Sequence, residues 1–314
     1  MLLVSSSALE SQLDALARAC ADPRAGLFGP RSAAWQISRE SGVFLAAGRA
    51  ALLQLAHPWV SAAIADHSAV LHRPIARFHN TFRVVFTMIF GSLPQALHAA
   101  RQLHTLHTAI QGELPASAGA WPRAARYEAN DLDALRWVFA TLVDSAVLAY
   151  SAVLPLDDAL RNRYYQEMHR FAALFGIPSA ELPSAWPAFA DYVAAMFAST
   201  QLAVTPAARA MGQAILSGAG SALRPPRWFR ALTAQWLPPR LRDEFALPLT
   251  SRDRRAVDRS LRWIPRLYTA LPATLRCVGP YHEACARLAG HSPGPLTRRN
   301  TRFWIGEPTL PTGT

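Results

Sequence analysis

Apolar residues recur at every third and fourth position along almost the whole chain, and alternating runs of Val, Ile and Thr are missing, so the pattern predicts helices throughout. A first helix starts at the serines 5–7 and runs to Cys20, with Leu9, Leu13 and Leu16 on one stripe. Two more are expected over 32–45 and 49–57, the second stopped by Pro58, and a short one over 59–67. Pro74 opens a helix over 75–90 that Gly91 ends, and Pro94 opens the next, over 95–111, ended by Gly112. Residues 113–126 hold Pro115, Gly119 and Pro122 among small residues and read as the clearest loop. Asn130 is placed to cap a long helix through Ala152, whose Leu135, Val138, Leu142, Ala146 and Ala149 form a continuous apolar face. Helices over 157–175, 184–202 and 206–216 complete the regular part.

Beyond Gly218 the text changes. Pro225, Pro226, Pro238, Pro239, Pro248, Pro265 and Pro272 break it into pieces, so brief helices wrapped around the body are expected there. The fold class that follows is all-α: one multi-helix domain over 1–314, with extra helices at both ends and residues 218–314 packed on the core.

Composition narrows the class. Apolar residues make up 51% and charged ones 17%, which suits a large buried core and excludes a disordered chain. Three cysteines, Cys20, Cys277 and Cys285, give neither an even disulfide framework nor a CxxC pair, and point to a reducing compartment. The uncharged stretches 50–65 and 84–100 fall short of the ~20 residues a membrane span requires, and Met1 opens no secretory signal. A cytoplasmic protein is expected.

The charge is regional. All 32 basic residues are Arg, and residues 224–302 carry 16 of them against five acids, so the entire excess of +11 sits in the last quarter of the chain. Arg252, Arg254, Arg255, Arg259, Arg262 and Arg266 line a helix expected over 253–263, with Trp228, Trp236 and Trp263 nearby. No helix-turn-helix, finger or strand platform accompanies them, so no specific nucleic acid is expected. The Arg cluster reads either as solvated surface pairing with acids of the body or, as its functional reading, as docking on an anionic membrane surface.

Histidine is also concentrated: seven of ten, His57, His67, His72, His79, His98, His104 and His107, fall between residues 57 and 107. His104 and His107 share one face of the helix over 95–111. HExxH is absent and no Cys or acid stands at ligand spacing, which disfavours zinc, and the Glu-x-x-His pairs of a di-iron bundle are missing. A metal that takes one protein ligand fits better, namely haem iron on a neutral imidazole. Arg77 and Thr81 then project a cation and a hydroxyl from one side of an aromatic segment with Phe78, Phe82 and Phe86.

The run Gln54-Leu55-Ala56-His57-Pro58, then Asp66-His67-Ser68, Arg77-x-x-x-Thr81, the helix end His107 to Gly112, and Trp137 to Thr141 with Asp144-Ser145 resemble a known family. It comprises the haem-dependent oxygenases grouped with the latex-clearing rubber oxygenases and the fungal endoplasmic-reticulum oxygenase of mycophenolic acid biosynthesis. The resemblance extends over residues 35–215. It implies a globin-like all-α core, one non-covalent haem b, and oxidative cleavage of carbon–carbon double bonds in isoprenoid or lipid-like substrates by O2. By position, His107 would be the proximal iron ligand, with His104 the alternative. Arg77 and Thr81 would line the haem environment, and Thr141 would be a further pocket residue.

In one respect the chain departs from that pattern. Rubber-cleaving members carry a distal Lys between the matching Arg and Thr; here the position is Asn80, and the chain has no Lys. The iron's sixth position is then open, water-bound, or closed by another residue such as His79. A haem or hydrophobic-ligand binding protein without turnover is the alternative that the same pocket allows.

Overall fold

Capping chemistry sets where the helices begin. In the computed structural model, which describes residues 2–67, 74–218 and 224–313, Ser5 Oγ accepts from the Ala8 amide (3.1 Å) at the start of α1 (Ser6–Ala19). Ser32 Oγ accepts from the Trp35 amide (3.0 Å) at the start of α2 (Ala33–Ser38). A 3-10 turn (Ser41–Ala46) leads into α3 (Ala47–Leu55), followed by α4 (Pro58–His67), α5 (Pro74–Phe90) and α6 (Leu93–Thr108). Two short antiparallel strands, β1 (Gln111–Glu113) and β2 (Arg126–Glu128), precede α7 (Leu132–Ser151), α8 (Asp158–Ala173), α9 (Trp186–Ala198) and α10 (Pro206–Ser217). The basic segment supplies α11 (Arg227–Trp236), α12 (Pro239–Glu244), α13 (Ser251–Ala270), α14 (Ala273–Arg276), α15 (Gly279–Leu288) and α16 (Pro295–Ile305). The architecture is all-α, as the periodicity predicts.

Three elements differ from the pattern. The helix expected over 32–45 breaks after Ser38, because Glu40 turns into the core to meet Arg276 (3.0 Å) and Tyr268 (3.0 Å) and its main chain bridges to Cys277. The helix expected to reach residue 111 stops at Thr108, because residues 111–113 pair with 126–128 in a hairpin where only loop was expected. Gly112 serves that hairpin, since a Cβ there would lie 2.5 Å from the Tyr127 hydroxyl. The Arg-rich helix runs on through Pro265 to Ala270 instead of ending at Trp263.

One apolar cluster extends from Val4 to Leu310 and draws on most of the helices, α13 and α14 excepted. Two buried indoles pin its layers: Trp35 Nε1 donates to the Ile89 carbonyl (2.8 Å), tying α2 to α5, and Trp137 Nε1 donates to the Leu53 carbonyl (2.9 Å), tying α7 to α3. Each removes ~200 Å² from water, roughly 5 kcal/mol before ordering entropy. Close helix packing joins α5 to α2, α6, α15 and α16, and joins α7 to α2, α3, α8, α9 and the 3-10 turn. Among the described residues, α5 and α7 do not pack closely on each other. Val84 and Val85 of α5, Leu103 of α6, and Val138 and Leu142 of α7 are correspondingly half-buried.

Candidate functional site

The hairpin decides what stands beside the end of α6. Leaving β2, the chain bonds the Ala129 amide to the Ile110 carbonyl (3.0 Å), which returns residue 130 to the last turn of α6. The N-terminal segment closes the same place from the other side, with the Val4 amide donating to the Asn130 carbonyl (3.0 Å) and the Leu132 amide to the Leu2 carbonyl (2.8 Å).

Asn130 does not cap α7. Its neighbour Asp131 does, with Oδ1 accepting from the Ala134 amide (2.9 Å), a position where a carboxylate also meets the positive end of the helix dipole. The Asn130 side chain is thereby released for α6. Its Nδ2 donates to the His104 carbonyl (3.2 Å) and to Thr108 Oγ1 (3.1 Å), and the same side chain lies close enough to the ring of His107 to favour its protonated form.

The two candidate imidazoles are thus unequal. His104 spends Nε2 on the Val4 carbonyl (2.9 Å), a bond in which the ring donates because a carbonyl only accepts. His107 is half-buried. Burial above all, with the His104 ring next, pushes it down to about 4, a shift that the Asn130 bond opposes and the Arg77 charge reinforces. It is therefore a neutral imidazole at physiological pH, with the Asn130 amide beside the ring. Arg77, on the facing helix α5, is close enough for its charge to act on His107, and burial lowers its own pKa.

The remaining expected residues separate into two groups. Thr81 lies one turn beyond Arg77 on α5 and is exposed, as is Asn80. His79 turns the other way, its Nε2 3.1 Å from the Phe303 carbonyl on α16. Thr141 stands roughly 16 Å further along α7 than Asn130, at 1.5 Å per residue. It is buried, donates to the Val138 carbonyl (2.7 Å) and accepts from Gln54 Nε2 (3.1 Å), so its hydroxyl proton is spent within its own helix. Near that level, Phe44, Phe82, Val85, Phe86, Leu142 and Phe171 line an apolar cavity of about 80 Å³.

Most other histidines of the cluster have structural surroundings. His67 Nε2 meets the Gln111 carbonyl (3.1 Å). His57 is buried against Trp59 and Trp121, and burial pushes it down to about 4. His98 is half-buried on α6, while His72 and Ser68 lie outside the described residues. No cluster of three or more His, Cys, Asp or Glu suited to a metal ion occurs among the described residues. Sequence reasoning overlooked Asn130 as a site residue. The available signal was two adjacent capping residues, Asn130 and Asp131, of which one helix start can use only one.

A family model described as ER-bound oxygenase mpaB/B'/Rubber oxygenase, catalytic domain, matches residues 35–266. That is most of the chain, and it passes residue 215, where the resemblance read from the motifs stops, to take in α11, α12 and most of α13. No curated protein and no solved structure matches the chain.

Proposed function

This chain belongs to the family of ER-bound mpaB-type and rubber oxygenase catalytic domains, and on that premise we propose that it is a haem b-dependent oxygenase whose axial iron ligand is His107. The observation that carries the reading is the contrast between two imidazoles on one helix face. His104 is committed to the Val4 carbonyl, whereas His107 is neutral and half-buried, with the Asn130 amide and the half-buried guanidinium of Arg77 beside it.

The residues present fit the group. With one nitrogen hydrogen-bonded to the Asn130 amide, the His107 imidazole would offer the lone pair of the other, and that bond would fix the tautomer and orient the ring. Asn130 is itself held in place, because its Nδ2 is divided between His104 and Thr108. Arg77 would neutralise a propionate on the same side of the site. Thr81 would offer a hydroxyl one turn away, and Asn80 a neutral amide where rubber-cleaving relatives have an ammonium.

Bound haem would supply the redox-active iron that lets O2 react with an alkene. The protein's part is to hold the substrate and exclude water. Half-buried Val84, Val85, Val138 and Leu142 and the apolar cavity beyond them suit a hydrocarbon chain. The substrate class is an isoprenoid or lipid-like alkene. One carbon–carbon double bond and one O2 become two carbonyl groups, with both oxygen atoms retained in the products. Thr141 serves as a wall residue tied to Gln54, not as a proton donor.

Oxygen uptake by the hemin-loaded protein, measured with a polyprenyl alkene beside mass spectrometry of the products, tests the reaction. Paired aldehyde and ketone products in step with oxygen consumed support it. A tightly haem-bound protein that consumes no oxygen above autoxidation would instead be a carrier.

A further inference from the structure

Six large apolar side chains stand in water along the stretch from α13 to α16: Trp263 is 57% exposed, Leu267 66%, Leu271 41%, Leu275 67%, Leu296 82% and Phe303 62%. Trp263 and Leu267 are spaced by four on one face of α13, Leu271 is the residue at which that helix ends, and Leu275 lies on α14. On α16, Leu296, Asn300 and Phe303 share a stripe. Asn300 Nδ2 donates to the carbonyls of Thr274 (3.3 Å) and Cys277 (3.2 Å), which fastens that stripe against α14, where Leu275 is exposed. Of the six, only Trp263 lies within the residues that the family model matches.

Charge surrounds these side chains on both helices. Arg259, Arg262 and Arg266 on α13 and Arg298, Arg299 and Arg302 on α16 are all exposed, and the Arg266 guanidinium lies 5.2 Å from the centre of the Trp263 ring. Between Arg259 and Arg302 the one acidic residue is Glu283, which is buried and accepts from the Leu310 amide (3.0 Å). An ordinary solvated basic face has no use for exposed Trp, Leu and Phe. A nucleic acid would stack on Trp263 and Phe303 and gain nothing from four leucines. A second copy would bring Arg against Arg. An anionic bilayer answers both chemistries, with apolar side chains entering the acyl boundary and guanidinium groups meeting phosphates.

We propose that α13, α14 and α16 form a docking face for the surface of an anionic phospholipid bilayer. The face packs on α5 through the bond between the Phe303 carbonyl and His79, on the side of that helix away from Arg77. Docking does not rest on the oxygenase reading.

Flotation of the full chain with phosphatidylcholine vesicles, with and without phosphatidylglycerol at three parts in ten, tests the proposal. The chain floats with the anionic vesicles and stays down with the neutral ones. Arg262→Gln/Arg266→Gln/Arg299→Gln lowers partitioning on the order of 100-fold, at about 1 kcal/mol per Arg. Leu267→Ser/Phe303→Ser lowers it by roughly tenfold or more without changing the circular dichroism. No flotation overturns the proposal, and so does flotation that the apolar pair leaves intact, which would mean charge attraction alone. Sedimentation showing a dimer that Leu267→Ser/Phe303→Ser dissolves would assign the face to a second copy and overturn it as well. These readouts need neither haem nor turnover, so they fail or succeed independently of the oxygenase reading.

Discussion

The ring of His104 donates to the carbonyl oxygen of Val4 across 2.9 Å, which binds the N-terminal segment to α6 and leaves His107, one turn further on, for another purpose. Loss of that bond is a stability effect. His104→Ala costs about 1 kcal/mol, with more if the Val4 carbonyl is left unpaired, and leaves hemin affinity within a few-fold of the parent. Urea unfolding beside a hemin titration measures both quantities in one preparation.

Asn130 is a positioning residue for His107. Removing its amide in Asn130→Ala lowers hemin affinity by about 10- to 100-fold, the usual consequence of deleting a second partner of a metal-bound imidazole. The bond to iron also changes, so the iron–histidine stretch in the resonance Raman spectrum of the ferrous form shifts. A variant that merely loosened the fold would lower affinity and leave that frequency in place.

His57 gives stability a pH dependence of definite sign. It is buried beside Trp59 and Trp121, Nδ1 lacks a partner, and burial pushes its pKa from 6.5 down to about 4. Because the folded state resists protonation, the contribution is complete above pH 6.5 and is lost as pH falls toward 4. The loss between pH 7 and pH 5 is about 2 kcal/mol from this group. His57→Phe reduces the difference in urea stability between those two pH values by that amount.

Arg49 and Asp144 hold α3 to α7 in a 2.7 Å ion pair, and Arg49 also donates to Ser145 Oγ (2.8 Å) and to the Trp236 carbonyl (2.9 Å). With Arg49 buried, removing only its counterion strands a charge in the core. Asp144→Ala therefore destabilises by about 3 kcal/mol, whereas the paired change Arg49→Met/Asp144→Leu costs less than that single substitution. Chemical denaturation of the two variants decides the order.

Local rules made most helices legible. Ser5, Ser32 and Asp157 cap where a capping residue precedes an apolar stripe, and Gly218 ends α10 in a left-handed conformation that favours glycine. What stayed hidden depends on distant partners. The end of α6 is set by strand pairing with residues 126–128, and the break after Ser38 by Glu40 reaching Arg276 and Tyr268. The candidate site divides along the same line. Arg77 and His107 were visible as residue types on helix faces, and the resemblance put His107 ahead of His104; the physical difference between the two imidazoles lies with Val4 and Asn130, residues far from both in the chain. Thr141 was placed correctly on α7, but its hydroxyl was already engaged, which no spacing reveals.

The most direct test is an absorbance titration of hemin into the parent protein, His107→Ala and His104→Ala. A sharp Soret band that forms in the parent and in His104→Ala, and is lost or shifted to that of loosely bound hemin in His107→Ala, is the expected result. A parent protein that gives no Soret band, or a band that His104→Ala abolishes and His107→Ala keeps, would contradict the account.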